Sequence, residues 1–93
     1  MVASLRNRLK KCTKKGALTT ADLALWFDQS YATMRSYRAG IEPYATRRPQ
    51  IEVCLKQLEE AVKLDPRLPV PLGVWKQARK NYLLDIRAAH SRK

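Results

Sequence analysis

Residues 18–40 read LTTADLALWFDQSYATMRSYRAG, and the first half of this stretch has the features of a helix start. Thr19 and Thr20 form a good N-cap pair, because a side-chain hydroxyl can accept a hydrogen bond from a free N–H of the first turn. Asp22 lies in that turn, where the positive end of the helix dipole favours a carboxylate. The sequence therefore predicts a short helix that ends at Phe27.

The second half of the same stretch predicts another short helix. Asp28 and Gln29 interrupt the apolar pattern of the first one. Ser30 then provides an N-cap, and Gly40 can end a helix over 31–39 because glycine adopts left-handed backbone without a Cβ penalty. Two helices of about eight residues, joined by a turn of about three, form the pattern of a helix-turn-helix.

The sequence on both sides of this motif predicts three further helices. The first covers residues 2–15, the fourth runs from Arg47 or Pro49 to Leu64, and the fifth covers residues 74–89. Their apolar residues recur at helical spacing. These core candidates are Val2, Leu5, Leu9, Cys12, Ile51, Cys54, Leu55, Leu58, Ala61, Val62, Trp75, Ala78, Tyr82 or Leu83, and Ile86. Because Gly, Pro and β-branched residues are sparse, we predict an all-α fold of five helices, a helix-turn-helix domain with a C-terminal helical hairpin.

The prolines after the fourth helix suggest a boundary. We expect residues 1–64 to form the helix-turn-helix domain, and residues 65–93 to form a Pro-rich connector and a C-terminal helix. Trp75 and Tyr82 are large side chains for so small a core. They either close the core or form a surface for self-association. The candidate oligomerisation residues are Trp75, Tyr82, Leu83 and Ile86.

The charge of the chain points to a polyanionic partner. Nineteen Lys and Arg against eight Asp and Glu give a formal net charge of +11 over 93 residues. Such an excess suits nucleic acid or an anionic membrane surface. The alternative is a basic surface that only keeps the protein soluble. It explains this excess less well, because small domains usually carry a net charge of only a few units.

Residues 1–21 are basic and free of acid, which is also typical of an organelle transit peptide. They fit better as the first helix of the fold.

The sequence offers no candidate residues for several kinds of functional site. Cys12 and Cys54 are far apart and the chain has one histidine, so neither a zinc pattern nor a disulfide framework is formed. Both are expected to be buried free thiols in a reducing compartment. Glu59 and Glu60 are expected on a solvated helix edge. There is no apolar run of membrane-spanning length and no Gly-rich phosphate loop. We therefore expect no enzyme, no metal, no cofactor and no small-molecule substrate.

Residues 18–40 resemble the Cro/repressor (Xre-type) helix-turn-helix family and align with its pattern without a gap. Ala24 matches a position where a small residue lets the second helix cross closely. The apolar wedge between the two helices is matched by Leu23, Phe27, Met34 and Tyr37. Asp28 stands where the family usually has Gly, a departure that costs about 1 kcal/mol. With the flanking helices, the resemblance extends from Leu5 to about Val62.

The resemblance implies a protein that binds double-stranded DNA with the helix over 31–39 in the major groove. Tyr31, Ala32, Arg35 and Ser36 are then the groove-facing residues, with Thr33 beside them and Ser30 as the cap. Arg35 is the one long planar donor among them, and both a bidentate guanine contact and a phosphate contact are open to it. The implied backbone contacts are Thr20, Arg38, Tyr44, Thr46, Arg47 and Arg48.

The resemblance leaves the biological role open between two DNA-binding functions. One is a transcription regulator of phage or mobile-element type that acts as a dimer on paired half-sites. The other is a DNA-packaging protein similar to phage terminase small subunits, which assemble into rings. Both predict a homo-oligomer in the cytoplasm of a bacterial host. A third hypothesis is a basic protein that associates with membrane or RNA, for which liposome or single-strand binding would rival duplex binding.

Overall fold

The computed structural model describes residues 4–16, 18–71 and 73–91. The five helices in this part of the chain are α1 (Leu5–Gly16), α2 (Thr20–Phe27), α3 (Tyr31–Ala39), α4 (Arg48–Leu64) and α5 (Lys76–Ser91). The predicted all-α, five-helix fold is confirmed over these residues. Val2, a predicted core residue, lies outside them.

The start of α2 is fixed by a reciprocal pair of hydrogen bonds. The Asp22 N–H donates to Thr19 Oγ1 at 3.2 Å, and the Thr19 N–H donates to Asp22 Oδ2 at 2.8 Å. This capping box satisfies two N–H groups that would otherwise have no partner in the helix. Of the predicted cap pair, Thr19 is therefore the N-cap and Thr20 is the first helical residue.

The turn between α2 and α3 has the backbone that the sequence predicts. Asp28 adopts left-handed backbone with φ 54° and ψ 46°, and the Gln29 N–H donates to the carbonyl of Ala24 at 2.9 Å. Ser30 caps α3 by accepting from the Thr33 N–H at 3.1 Å. Gly40 ends that helix with φ 113°, a value that strains any residue with a Cβ.

The core lies where α1, α2, α3 and α4 meet. The four wedge residues predicted for the helix-turn-helix are buried: Leu23, Phe27, Met34 and Tyr37. Trp26 is also buried, and its indole N–H donates to the Cys54 carbonyl at 3.1 Å. Leu9 on α1 and Leu58 on α4 are fully enclosed. The motif therefore rests on the two long helices that flank it in sequence.

The fifth helix closes this core, which corrects most of the predicted oligomerisation surface. Leu83 and Ile86 are 1% and 0% exposed, so placing them at an oligomer interface was wrong. Tyr82 is half-buried, and its hydroxyl donates to the Arg67 carbonyl at 2.9 Å. Trp75 alone of the four stands in solvent, 86% exposed. The helix begins at Lys76 rather than at residue 74, and the predicted core residue Ala78 is exposed.

A buried ion pair joins α5 to the start of α2. The Arg79 guanidinium donates to Asp22 through Nε at 2.8 Å and through Nη2 at 2.5 Å, and the two side chains are 11% and 6% exposed. Arg79 Nη1 also donates to the Pro71 carbonyl at 2.9 Å. One arginine thus holds the connector, α5 and the cap of α2 together.

A second ion-pair group joins α1 to α4. Arg8 donates to Glu59 Oε1 at 2.6 Å and to Glu52 Oε2 at 2.8 Å. The Glu59 side chain is 39% exposed and Glu60 is exposed, so the predicted solvated helix edge is confirmed, and the ion-pair partner of Glu59 is an arginine from another helix. Hydrogen bonds from Arg8 to Glu59 and Glu52 outweigh partial burial and raise the pKa of the Arg8 guanidinium, which stays charged.

Both cysteines are buried free thiols, as predicted. Burial raises the pKa of the Cys12 thiol to about 11, and it also raises the pKa of Cys54. Neither thiol is therefore a ready nucleophile.

Within residues 4–16, 18–71 and 73–91, no helix combines the length and the apolar character needed to cross a bilayer.

Candidate nucleic-acid interface

Helix α3 has an inner and an outer side. Met34 and Tyr37, three residues apart, are buried and anchor it to the core. Tyr31, Ala32 and Arg35 point away from that core and are exposed, Tyr31 by 56%. The predicted groove-facing residues thus lie together on one surface, with Thr33 and Ser36 half-buried at its margins.

Arg35 is available for an external partner. Its side chain is exposed, and it makes no hydrogen bond or ion pair with the part of the chain that the structure describes. The two nearby hydroxyls are less free, because Ser30 Oγ donates to Thr33 Oγ1 at 2.8 Å while it caps the helix. Among the groove-facing candidates, Arg35 is therefore the residue best able to make a new charged contact.

One flank of α3 is formed with the first turn of α2. Arg38 Nη1 donates to Thr20 Oγ1 at 2.6 Å, which brings two predicted backbone-contact residues together. The bond holds the guanidinium in place while leaving the Thr20 hydroxyl proton for another acceptor. The sequence did not indicate this pair, since the residues are 18 positions apart.

The other flank is the segment that leads into α4. Tyr44 is 80% exposed, and its carbonyl accepts from the Arg47 and Arg48 N–H groups at 2.9 and 3.1 Å. Arg47 Nη1 donates to Gln29 Oε1 at 3.2 Å, so this flank touches the turn before α3. Thr46, Arg47 and Arg48 are all exposed.

The surface around α3 is strongly biased toward positive charge. Residues 28–51 contain Arg35, Arg38, Arg47 and Arg48 against two acids, Asp28 and Glu42, both of which are exposed. Five carboxylates elsewhere are held in ion pairs with arginines, and none of them belongs to α3: Asp22, Glu52, Glu59, Asp65 and Asp85. A cationic surface with few internal acids is suited to a polyanion.

One further cation beside α3 was not among the predicted site residues. Arg6 on α1 is exposed, and its Cδ lies 3.7 Å from the position that a Cβ on Gly40 would take. The side chain therefore passes the C-terminal end of α3. Arg6 follows directly after Leu5 of the apolar stripe of α1 and lies off that stripe, but only the packing of α1 on α3 brings it to this surface.

Comparison of the chain with protein-family models found no match, and comparisons with curated proteins and with solved structures found none either.

Proposed function

We propose that this chain binds double-stranded DNA by inserting the outer side of α3 into the major groove. The observation that carries the proposal is the exposed, acid-free surface of Tyr31, Ala32 and Arg35 on a helix whose other side is fixed in the core. An α-helix fits the major groove of B-DNA, where base edges are distinguishable. A rigid support for the helix keeps its donors in register with those edges.

The two flanks of α3 supply the backbone contacts in this proposal. The Arg38–Thr20 pair would hold one phosphate ridge, and the segment from Tyr44 to Arg48 would hold the other. The backbone extends 33 × 28 × 21 Å along its principal axes, and the longest dimension is close to one turn of B-DNA, some 34 Å.

For the biological role we propose a transcription regulator of phage or mobile-element type, acting in a bacterial cytoplasm. The support is the resemblance of residues 18–40 to the Cro/repressor helix-turn-helix family. Exposed Trp75 also suits the alternative, a DNA-packaging protein similar to phage terminase small subunits, because such proteins need an oligomer contact. A closed dimer in solution favours the regulator, and a ring favours packaging.

Selection of bound fragments from random duplex DNA tests the proposal and supplies a preferred site. On that site we expect Arg35→Ala to weaken binding by about 5- to 150-fold, the range for a lost bidentate base contact, with little change on unrelated duplexes. Arg35→Lys should lose nearly as much, since an ammonium keeps the charge but not the planar fork. Titrations at one fixed salt concentration measure both. Equal weakening on all duplexes would instead make Arg35 a phosphate contact.

Arg47→Ala combined with Arg48→Ala is expected to weaken binding to every duplex. Loss of two phosphate contacts should flatten the slope of log K against log salt by about two units. Lys63→Ala is the matched control, because Lys63 is exposed on the same helix about 22 Å further along. Titrations over a range of salt concentrations give the slopes. An unchanged slope in the double variant would remove this flank from the contact surface.

A further inference from the structure

Helix α1 carries six cations and no acid: Arg6, Arg8, Lys10, Lys11, Lys14 and Lys15. Arg8 is paired with Glu52 and Glu59 of α4. The side chains of the other five are exposed, and they make no hydrogen bond or ion pair with the part of the chain that the structure describes. Like charges three or four residues apart on a helix repel each other, so α1 carries a repulsion that a bound polyanion would relieve.

Three of these exposed cations form one row along the helix, because residues four apart share a face: Arg6, Lys10 and Lys14. We call this set the α1 row. It begins at Arg6, whose Cδ lies beside Gly40 at the C-terminal end of α3. The row therefore adjoins the proposed contact surface at its first residue.

The other two exposed cations, Lys11 and Lys15, belong to a different side of α1. They line a groove together with Glu59 and Lys63 of α4. Since an α-helix turns about 100° per residue, they lie about 100° around the axis from the two lysines of the α1 row. The two lysine pairs thus share a helix and a charge but have different neighbours.

The far end of the α1 row lies near the flank that α3 forms with α2. The Leu18 N–H donates to the Thr13 carbonyl at 3.2 Å, and the chain passes directly into the cap of α2 at Thr19. Thr20, the next residue, accepts the hydrogen bond from Arg38. The row therefore runs beside the Arg38–Thr20 flank, from the end of α3 toward the start of α2.

We propose that the α1 row is a third contact with the backbone of duplex DNA, outside the Arg38–Thr20 flank. The inference rests on the proposed insertion of α3 into the major groove. From Arg6 to Lys14 the helix rises about 12 Å, and the phosphates of one strand succeed each other about every 3.4 Å along the duplex, so the row can meet two or three phosphates. Phosphate contacts carry no base information, so the row adds affinity for every duplex.

The burial of α1 favours DNA over an anionic bilayer as the partner of this row. A helix that binds a bilayer surface inserts an apolar side between the lipids while its cations contact the headgroups. The apolar residues of α1 are all enclosed in the core: Leu5, Leu9 and Cys12. The α1 row therefore has charge to offer without an apolar side beside it, which suits a row of phosphates.

Lys10→Ala combined with Lys14→Ala tests the proposal, in titrations of the full chain with the selected duplex. Loss of two phosphate contacts should flatten the slope of log K against log salt by about two units. Between about 50 and 200 mM salt, the variant should then lose about 12-fold less affinity than the wild type. Lys10→Arg combined with Lys14→Arg should keep the wild-type slope, because either cation releases a counterion from a phosphate.

Lys11→Ala combined with Lys15→Ala is the matched control, because it removes the same charge from the same helix on the α4 side. It should keep the wild-type slope. Lysine, arginine and alanine are all good helix formers, so circular dichroism should show the same helix content and unfolding midpoint for all these variants. Hydroxyl-radical footprinting should show that the Lys10–Lys14 alanine variant loses protection only at the outer edge of the contact.

Two results would overturn the proposal. An unchanged slope in the Lys10–Lys14 alanine variant would remove the α1 row from the contact surface. Equal flattening in this variant and in the control would show that net charge, and not the row, sets the slope. Because α3 and its flanks are intact in every variant, either result with a wild type that binds a preferred site leaves the proposed function standing. A wild type that binds no duplex would overturn both.

Discussion

Arg79→Met is expected to lower the free energy of unfolding by about 3–5 kcal/mol, because it leaves the Asp22 carboxylate buried without its partner. The loss reaches beyond one ion pair, since Arg79 also donates to the Pro71 carbonyl. Lys80→Met is the matched control, as Lys80 is the next residue of α5 and is exposed. Urea unfolding followed by circular dichroism measures both. The control should change stability by no more than about 0.5 kcal/mol.

A double variant tests whether the pair is the cause. Combining Arg79→Met with Asp22→Asn removes both buried charges, so it should cost less than the sum of the two single changes. If Arg79→Met lowered the free energy of unfolding no more than Lys80→Met does, the buried ion pair would not be holding α5 against α2.

The same pair gives the stability a defined response to acid. Burial alone would raise the pKa of the Asp22 carboxyl, but hydrogen bonds from Arg79 and Thr19 outweigh it and hold the pKa below its ordinary value. A carboxyl with a depressed folded-state pKa contributes stability above its unfolded pKa of about 3.9, and the contribution is lost as the pH falls through the folded value. The difference in the free energy of unfolding between the wild type and Arg79→Met should therefore narrow as the pH falls through the folded-state pKa of Asp22, as measured by urea unfolding at several pH values with circular dichroism.

Met34→Ala is expected to lower the free energy of unfolding by about 2–5 kcal/mol, because the side chain is fully enclosed and its removal leaves a cavity. Arg35→Ala, one residue along α3, changes an exposed side chain and should change stability by less than about 0.5 kcal/mol. Urea unfolding again measures the difference.

The effects of these two substitutions on DNA affinity should be the reverse of their effects on stability. Below the unfolding transition, the Met34→Ala chain keeps its outer surface and should bind the preferred site nearly as the wild type does. Arg35→Ala should lose that affinity while remaining as stable as the wild type. If Met34→Ala lost binding while still folded and Arg35→Ala kept it, the outer side of α3 would not be the contact surface.

The local features of the helix-turn-helix could be predicted from sequence because short-range chemistry decides them. Left-handed backbone at Asp28, the cap at Ser30 and the burial of Met34 each follow from a few neighbouring residues. The choice between Thr19 and Thr20 was also within reach, since Thr19 stands three residues before Asp22, the spacing of a capping box.

The arrangement of α5 could not be predicted in the same way. Its inner side includes Arg79, Leu83 and Ile86, and an arginine at one of these positions looks like a solvent-facing residue in the sequence. If Arg79 is taken to face solvent, the helix face through Trp75 and Tyr82 is an equally good candidate for the buried side of α5. Only the buried carboxylate of Asp22, 57 positions away, explains why a charged side chain belongs on that side. The pairs that orient the candidate interface, such as Arg38 with Thr20, are likewise long-range.

The reach of Arg79 back to the Asp22 cap has a consequence for anyone who wishes to shorten this protein. A fragment ending at residue 64 would lack the side chain that neutralises that carboxylate and the two residues, Leu83 and Ile86, that cover the core. If α5 frays, we therefore expect the backbone amides of α2 to be the first to show faster hydrogen exchange. Residues 18–40 are therefore not a detachable module, and fusions or shortened versions need to keep residues 76–91.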